Sequence, residues 1–282
     1  PYTGTTTLSG GTLVVGNVDA LSTALTGSGS SNLRLATDSS VTAFSINTGT
    51  NQSFTINSDR ATSGAAITHA LGSASLGGGS STVTFTQGSN VSSGTAGVSI
   101  TSLSLSGGVA AGGSTTTTLN PTSATVSITG NVTRNNNAGN TTKVLALSGT
   151  IAGNAINGTI SNGDADDIVA VTKSGASTWA LNHANSNYTG ITTISAGVLE
   201  VASLVNGGSN SSIGASTNAA ANLVFGAPSA TLRYIGTTNT TTDHSFTTSS
   251  GTGGGATIAS SGTGTLGLDD TVAIGYGTTN QT

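Results

Sequence analysis

Cysteine and methionine are absent from the 282 residues, proline occurs three times and tryptophan once. Without cysteine there are no disulfide staples and no thiolate metal sites, which suits a large bacterial extracellular protein as well as a reduced compartment. Charge is also scarce: six Lys or Arg and ten Asp or Glu leave a formal net charge of −4. The six cations, Arg34, Arg60, Arg134, Lys143, Lys173 and Arg233, are scattered, so the basic patch that nucleic acid requires is missing. No acidic tail replaces it. No apolar run approaches the roughly 18 residues of a spanning helix, so no membrane insertion is expected. The chain opens on Pro1 with neither Met nor a signal peptide, which leads us to expect a processed product or a piece of a longer chain.

What is present is glycine, 42 residues of it, with Thr, Ser and Asn around a thin spread of Val, Ile, Leu and Ala. Disorder normally combines low hydrophobicity with high net charge. Here hydrophobic residues make up 34%, so a repulsion-driven coil is disfavoured. Gly, Thr, Ser and Asn interrupt every window long enough for a helix, the best candidate being a turn or so at 17–25 with Asn17 as cap. The dominant unit is a short strand with an apolar pair at i and i+2. Examples are Phe54 and Ile56, Val83 and Phe85, Val126 and Ile128, Trp179 and Leu181, Leu199 and Val201, Leu232 and Tyr234, Leu266 and Leu268, and Val272 and Ile274. Such alternation puts one face in a core and the other in water.

An all-β fold is the result, either an antiparallel sandwich or a right-handed parallel β-helix. Edges unprotected by charge or proline argue against a sandwich. Outward positions filled by Thr, Ser and Asn suit ladders of stacked like residues. The third observation is self-similarity, the mark of a solenoid. The segment YTGTTTLSGGTLVV at Tyr2 returns as YTGITTISAGVLEV at Tyr188, with 9 identities in 14 positions. Leu8, Leu13 and Val15 become Ile194, Leu199 and Val201 at inward positions, while Val14 becomes Glu200, which only an outward position tolerates. Gly11 and Gly197 are expected at a corner where a side chain would clash. The two copies thus read as equivalent coils of one continuous solenoid over residues 1–282, its coil register open between 57 and 125.

Residues 168–201, IVAVTKSGASTWALNHANSNYTGITTISAGVLEV, resemble the autotransporter-associated β-strand repeat, also called the passenger-associated transport repeat. Its pattern maps onto Thr172, Lys173, Gly175, Trp179, Leu181, Tyr188, Thr189, Gly190, Thr192, Ile194, Gly197, Leu199 and Val201. Trp179 stands where Leu is usual. Residues 1–15, with Tyr2, Thr3, Gly4, Leu8, Gly11, Leu13 and Val15, look like the back half of a second copy. The stretch from Asn206 to Phe246 is similar to the segment found after such repeats in very large verrucomicrobial and planctomycete surface proteins. The resemblance implies a parallel β-helix displayed outside a bacterial cell or released from it. It implies no catalytic activity.

Few constellations suggest chemistry. Asp164, Asp166 and Asp167 form the densest acidic cluster and a weak calcium candidate, yet their spacing fits neither an EF-hand nor a nonapeptide calcium repeat; a solvated turn is the competing reading. His69, His183 and His244 are far apart, with no pair at zinc-ligand spacing and no G-x-S-x-G elbow, so surface histidines are expected. Six dispersed cations argue against the clustered Asp, Arg and Lys of polysaccharide-cleaving β-helices. The Thr runs at 112–118 and 236–244 raise ice binding, which needs T-x-T at one place in coil after coil; these runs are irregular. Sequons such as Asn131-Val132-Thr133 are what chance supplies in a chain this rich in Asn, Ser and Thr. The glycine triplets at 77–79 and 253–255 lack the Lys-Ser/Thr of a phosphate loop and read as turns.

The expectation is therefore a rod of about a dozen coils, on the order of 60 Å long at about 4.8 Å per coil. It would serve as a non-enzymatic filament, stalk or adhesin segment without cofactors, its partners being further coils of itself, joined end to end, and surface glycans. A passenger domain that binds or cleaves carbohydrate is the alternative, and an ice-binding Thr array the third. The scarcity of Lys and Arg and the lack of Met and Cys suit exposure to proteases and oxidants.

Overall fold

The computed structural model describes residues 4–21, 23–77, 79–106, 112–135, 141–164, 166–248 and 256–276. Tyr2, Thr3, Gly78 and the triplet at 253–255 lie outside the described residues. The chain alternates between two large parallel sheets. One runs through Thr6–Leu8, Leu25–Gly27, Ile46–Thr48, Thr68–Leu76, Gly97–Leu105, Thr125–Ile128, Asn154–Ile156, Thr178–Leu181, Val198–Val201, Thr231–Tyr234 and Thr257–Ser260, with Val132–Arg134 and Ile160–Ser161 beside that path. The second runs through Gly11–Val15, Ser30–Ala36, Ser53–Asp59, Ser81–Gln87, Ser114–Pro121, Thr141–Leu147, Asp167–Lys173, Thr192–Ile194, Leu223–Phe225, Phe246–Thr248 and Ile274–Tyr276. Each coil gives a strand to each sheet, with a second short strand in the first sheet at Val132–Arg134 and Ile160–Ser161, and eleven rungs among the described residues stack into a parallel β-helix of about 50 Å at about 4.8 Å per rung. Parallel crossovers of this kind are right-handed in nearly all proteins.

Side chains alternate in and out as the apolar pairs foretold. Phe54, Ile56, Val83, Phe85, Val126, Ile128, Leu199, Val201, Leu232 and Tyr234 are all buried in one continuous core. The open register also closes: His69 and Leu71 lie against Val98 and Ile100, while Thr82 and Val83 pair with Thr118 and Leu119. Two expected core pairs differ. Leu268 and Ile274 are 48% and 50% exposed, and Leu266 and Val272 only half-buried, because they lie on the last described rungs, where no further described coil covers them. Among the described residues of 17–25 there is no helix. Asn17 Oδ1 accepts the Asp19 N–H at 2.9 Å, but the turn leads straight to the strand at Leu25. The sole helical element among the described residues is a 3₁₀ turn, Ala220–Asn222.

The two copies of the recurring segment are not equivalent coils: they sit half a coil out of phase. Thr6–Leu8 and Gly11–Val15 belong to the first and second sheets respectively, whereas Thr192–Ile194 and Val198–Val201 belong to the second and first. The segment encodes strand, corner, strand, and either sheet accepts it because both require the same alternation and rise. At the corner, Gly11 and Gly197 have φ of +71° and +69°, a conformation that disfavours any side chain. The expected clash exists only at Gly197, where an added Cβ would lie 2.5 Å from the carbonyl oxygens of Gly175 and Ser177. Around Gly11 the space is open, and its backbone conformation alone calls for glycine.

Candidate functional site

All six cations are consumed in tying coils together. Each arginine pairs with an acid from another coil: Arg34 with Asp59 at 2.6 Å, Arg60 with Asp38 at 3.2 Å, Arg134 with Asp167 at 3.1 Å and Arg233 with Glu200 at 3.0 Å. Both lysines point into the core and satisfy backbone carbonyls. Lys173 Nζ donates to the carbonyls of Ser174 at 2.7 Å, Gly175 at 2.9 Å and Ala196 at 3.1 Å, joining the corners of successive coils. Lys143 Nζ donates to Gly79 O at 3.1 Å and Thr115 Oγ1 at 3.2 Å. Burial pushes both ammonium groups down to about 8, with the charge of Arg134 adding to the effect on Lys143. These links between distant stretches of chain carry no periodic signal in the sequence.

The remaining motif residues also have structural partners. Trp179 is fully buried and its indole N–H donates to Ser148 O at 2.8 Å. Tyr188 is buried, its hydroxyl 2.8 Å from Thr192 Oγ1, and burial raises its phenol well above the ordinary range. Thr189 Oγ1 accepts from Asn162 at 2.8 Å. Gly190 lets the chain pass so close to Val169 that a Cβ would lie 2.3 Å from its carbonyl oxygen. Gly175 has φ +69° and passes equally close to Gly149 O.

Asp164, Asp166 and Asp167 do not converge on a cation. Asp167 is buried against Arg134 and accepts Thr141 Oγ1–H at 2.8 Å, while Asp164 Oδ1 accepts the N–H groups of Asp166 and Asp167 as a turn entering the strand. Among the described residues no group of three metal-ligating side chains forms. The histidines depart from expectation, since only His183 reaches the surface. His69 is fully buried, its Nε2 donating to Asp59 O at 2.9 Å, and His244 is buried with neither ring nitrogen bonded among the described residues. Both occupy inward strand or turn positions; the T-H-A-L alternation ending at Leu71 is the signal that places His69 inside.

Burial holds both imidazoles below their ordinary value. Burial pushes the Asp59 carboxyl up, but hydrogen bonds from the Arg60 and Asn90 N–H groups and from Arg34 outweigh it and hold that group low. Unfolded histidine takes up a proton near about pH 6.5 while the folded rings resist it, so stability is full above that pH and falls below it. The Asp59 contribution persists down to about pH 3.9 and is lost as pH falls further. Urea midpoints are therefore expected to fall between about pH 7.5 and 5.5 and again below about pH 4, with His244→Leu flattening the first step.

The second sheet presents a polar outward face. Ser53, Thr82, Thr118, Ala146, Thr172, Thr193, Val224 and Thr247 form one rank of register partners, and Thr55, Thr84 and Asn120 a neighbouring one. Neither rank contains a charge. The hydroxyls of Thr82, Thr118, Thr172 and Thr193 have no hydrogen-bond partner among the described residues. Ala146 and Val224 break the Thr rank, so it falls short of an unbroken T-x-T array. Of the two Thr runs visible in the sequence, 112–118 contributes Thr116 and Thr118 to this face but buries Thr115 and Thr117, and the second lies on a separate two-stranded sheet with Leu266–Leu268. The better signal is the alternation in Thr82-Val83-Thr84-Phe85-Thr86.

A family model of the passenger-associated transport repeat matches residues 1–15 and 171–201, the two segments that turn at Gly11 and Gly197. This chain carries passenger-associated transport repeats. A curated relative, the adhesin BmaC autotransporter of Brucella suis biovar 1 (strain 1330), is 40% identical over 139 residues, covering 48% of this chain and 4% of that protein. The repeat chain thus spans a small fraction of the relative's length. No solved structure matches it. The passenger-associated transport repeat and the adhesin match together indicate a bacterial cell surface or extracellular location. Among the described residues no helix is long and apolar enough to cross a membrane.

Proposed function

We propose that this chain is a non-enzymatic rod within a bacterial surface adhesin, one continuous solenoid segment that holds binding surfaces away from the cell and offers its uncharged hydroxyl ranks for contact. The observation that carries this reading is the use of all six cations as internal links, which leaves the ranks through Thr82 and Thr84 free of charge. The similarity to a protein named as an adhesin supports it. Four of the ten acids, Asp38, Asp59, Asp167 and Glu200, are engaged in the same ion pairs. A parallel stack leaves unpaired backbone groups on its outermost rungs, and apolar Leu268 and Ile274 stand exposed there. A further coil, of the same polypeptide or of another copy, satisfies them, which makes end-to-end association part of the proposal. Beads coated with the purified segment should adhere to host-cell or glycan surfaces, and Thr82→Lys with Thr118→Lys should reduce that adherence. Adherence no greater than that of albumin-coated beads would overturn the proposal.

A further inference from the structure

Three Asn-Gly pairs occur in the chain, at 157–158, 162–163 and 206–207. An Asn-Gly sequence is the least hindered setting for attack of the following backbone nitrogen on the side-chain carbonyl carbon, since glycine offers no side chain to obstruct it. Two of the three are occupied by the fold. Asn157 stacks in a ladder, donating to Ser127 Oγ at 3.1 Å and accepting from Asn182 Nδ2 at 2.7 Å. Asn162 accepts the Val169 N–H at 2.8 Å and donates to Thr189 Oγ1 at 2.8 Å. Neither Gly158 nor Gly163 has its N–H on a carboxylate among the described residues.

Asn206 differs in the partners of its amide. It is exposed, as Asn157 is, but its side-chain nitrogen makes no hydrogen bond among the described residues. The Gly207 N–H donates to Asp243 Oδ1 at 2.7 Å, and the Asp243 N–H donates to Asn206 Oδ1 at 3.2 Å. One residue therefore places a base on the nucleophile and a hydrogen-bond donor on the oxygen where negative charge develops. Asp243 is itself held by Asn218 Nδ2 at 3.0 Å.

We propose that Asn206 is a self-modification site at which Asp243 promotes deamidation through a cyclic imide. Gly207 N attacks Asn206 Cγ while its proton passes to the Asp243 carboxylate, and the Asp243 N–H steadies the oxyanion. The bond from Cγ to the side-chain nitrogen then breaks, and ammonia leaves with the proton returned by Asp243. Water opens the resulting five-membered succinimide at either carbonyl, giving aspartate or isoaspartate. The net change is amide plus water to carboxylic acid plus ammonia. The product sets a second carboxylate beside Asp243, weakening the links that fasten the loop at 203–218 to the coil below.

Peptide mass mapping of the folded protein, incubated at neutral pH, tests this. Asn206 should gain the mass of amide-to-acid conversion more than about tenfold faster than Asn157 or Asn162, and Asp243→Asn should remove most of that advantage, since general-base assistance is worth about 10²–10⁴ in rate. In denaturant the three sites should converge, a comparison that needs no variant and stands even if Asp243→Asn misfolds. Equal rates at all three sites in the folded protein, or an unchanged rate in folded Asp243→Asn, would overturn the proposal.

Discussion

Replacing Arg134 by alanine is expected to cost about 3–5 kcal/mol, a large part of the total stability of a domain, because it leaves a buried carboxylate without its counter-charge. Asp167 is fully buried and the Arg134 side chain is 2% exposed, so water cannot take over the lost role. The guanidinium does more than neutralise. It donates to Thr141 O at 2.8 Å and Ile168 O at 2.9 Å and also bonds Thr141 Oγ1. Arg134 belongs to the first sheet and its partners to the second, so one side chain ties both sheets at the edge of adjacent coils. Removing both charges, as in Arg134→Met with Asp167→Leu, should recover only part of the loss. The charge imbalance disappears, but the guanidinium hydrogen bonds to Thr141 O and Ile168 O go with it, and a hydrogen bond to a charged group contributes about 1.5–3 kcal/mol. Urea denaturation followed by circular dichroism measures each variant. A loss below about 1 kcal/mol for Arg134→Ala would mean that the pair is solvated.

The second large effect is at Trp179. Trp179→Ala should cost about 3–5 kcal/mol, the range for removing a buried aromatic side chain from a packed core. In register the indole lies between Asn154 and Leu199, and its N–H reaches across to Ser148 O in the corner leading out of the second sheet. Ser148 O also accepts the Ser177 hydroxyl at 2.7 Å, so it keeps one donor in the variant and most of the loss is cavity. Trp179→Leu, which restores the residue usual in the repeat, should be markedly milder because branched carbons refill part of the volume. Since Trp179 is the sole tryptophan, both variants must be followed by circular dichroism instead of indole fluorescence. Equal losses for Ala and Leu would indicate that the indole hydrogen bond, absent from both, dominates packing.

The strand grammar is legible in the sequence because period-two alternation is local: Phe54 and Ile56, or Val126 and Ile128, declare their inward faces within three residues. Coil phase is not. Both sheets impose the same alternation, so the copies starting at Tyr2 and Tyr188 look alike while feeding opposite sheets. Coil length varies from 19 residues between Thr6 and Leu25 to 36 between Phe85 and Pro121, which hides who stacks on whom. Hence scattered charges such as Arg134 and Asp167 become partners, and the hydroxyl ranks emerge from strands with no visible Thr run. His69 and His244 defy the usual surface preference of histidine, which a position in an inward register overrides. The passenger-associated transport repeat itself is readable from Tyr188-Thr189-Gly190 and Gly197, where contacts between neighbouring coils dictate the residues.

The fold and the proposed rod both depend on the stacking order, and the absence of native cysteine makes that order directly measurable. Spin labels at Ser53→Cys and Thr172→Cys sit four rungs apart in one rank, and at Ser53→Cys and Thr247→Cys seven rungs apart. Pulsed dipolar spectroscopy should give narrow distributions centred near about 19 Å and about 34 Å, a step of about 4.8 Å per coil. Distances that fail to lengthen from the first pair to the second would contradict the β-helix.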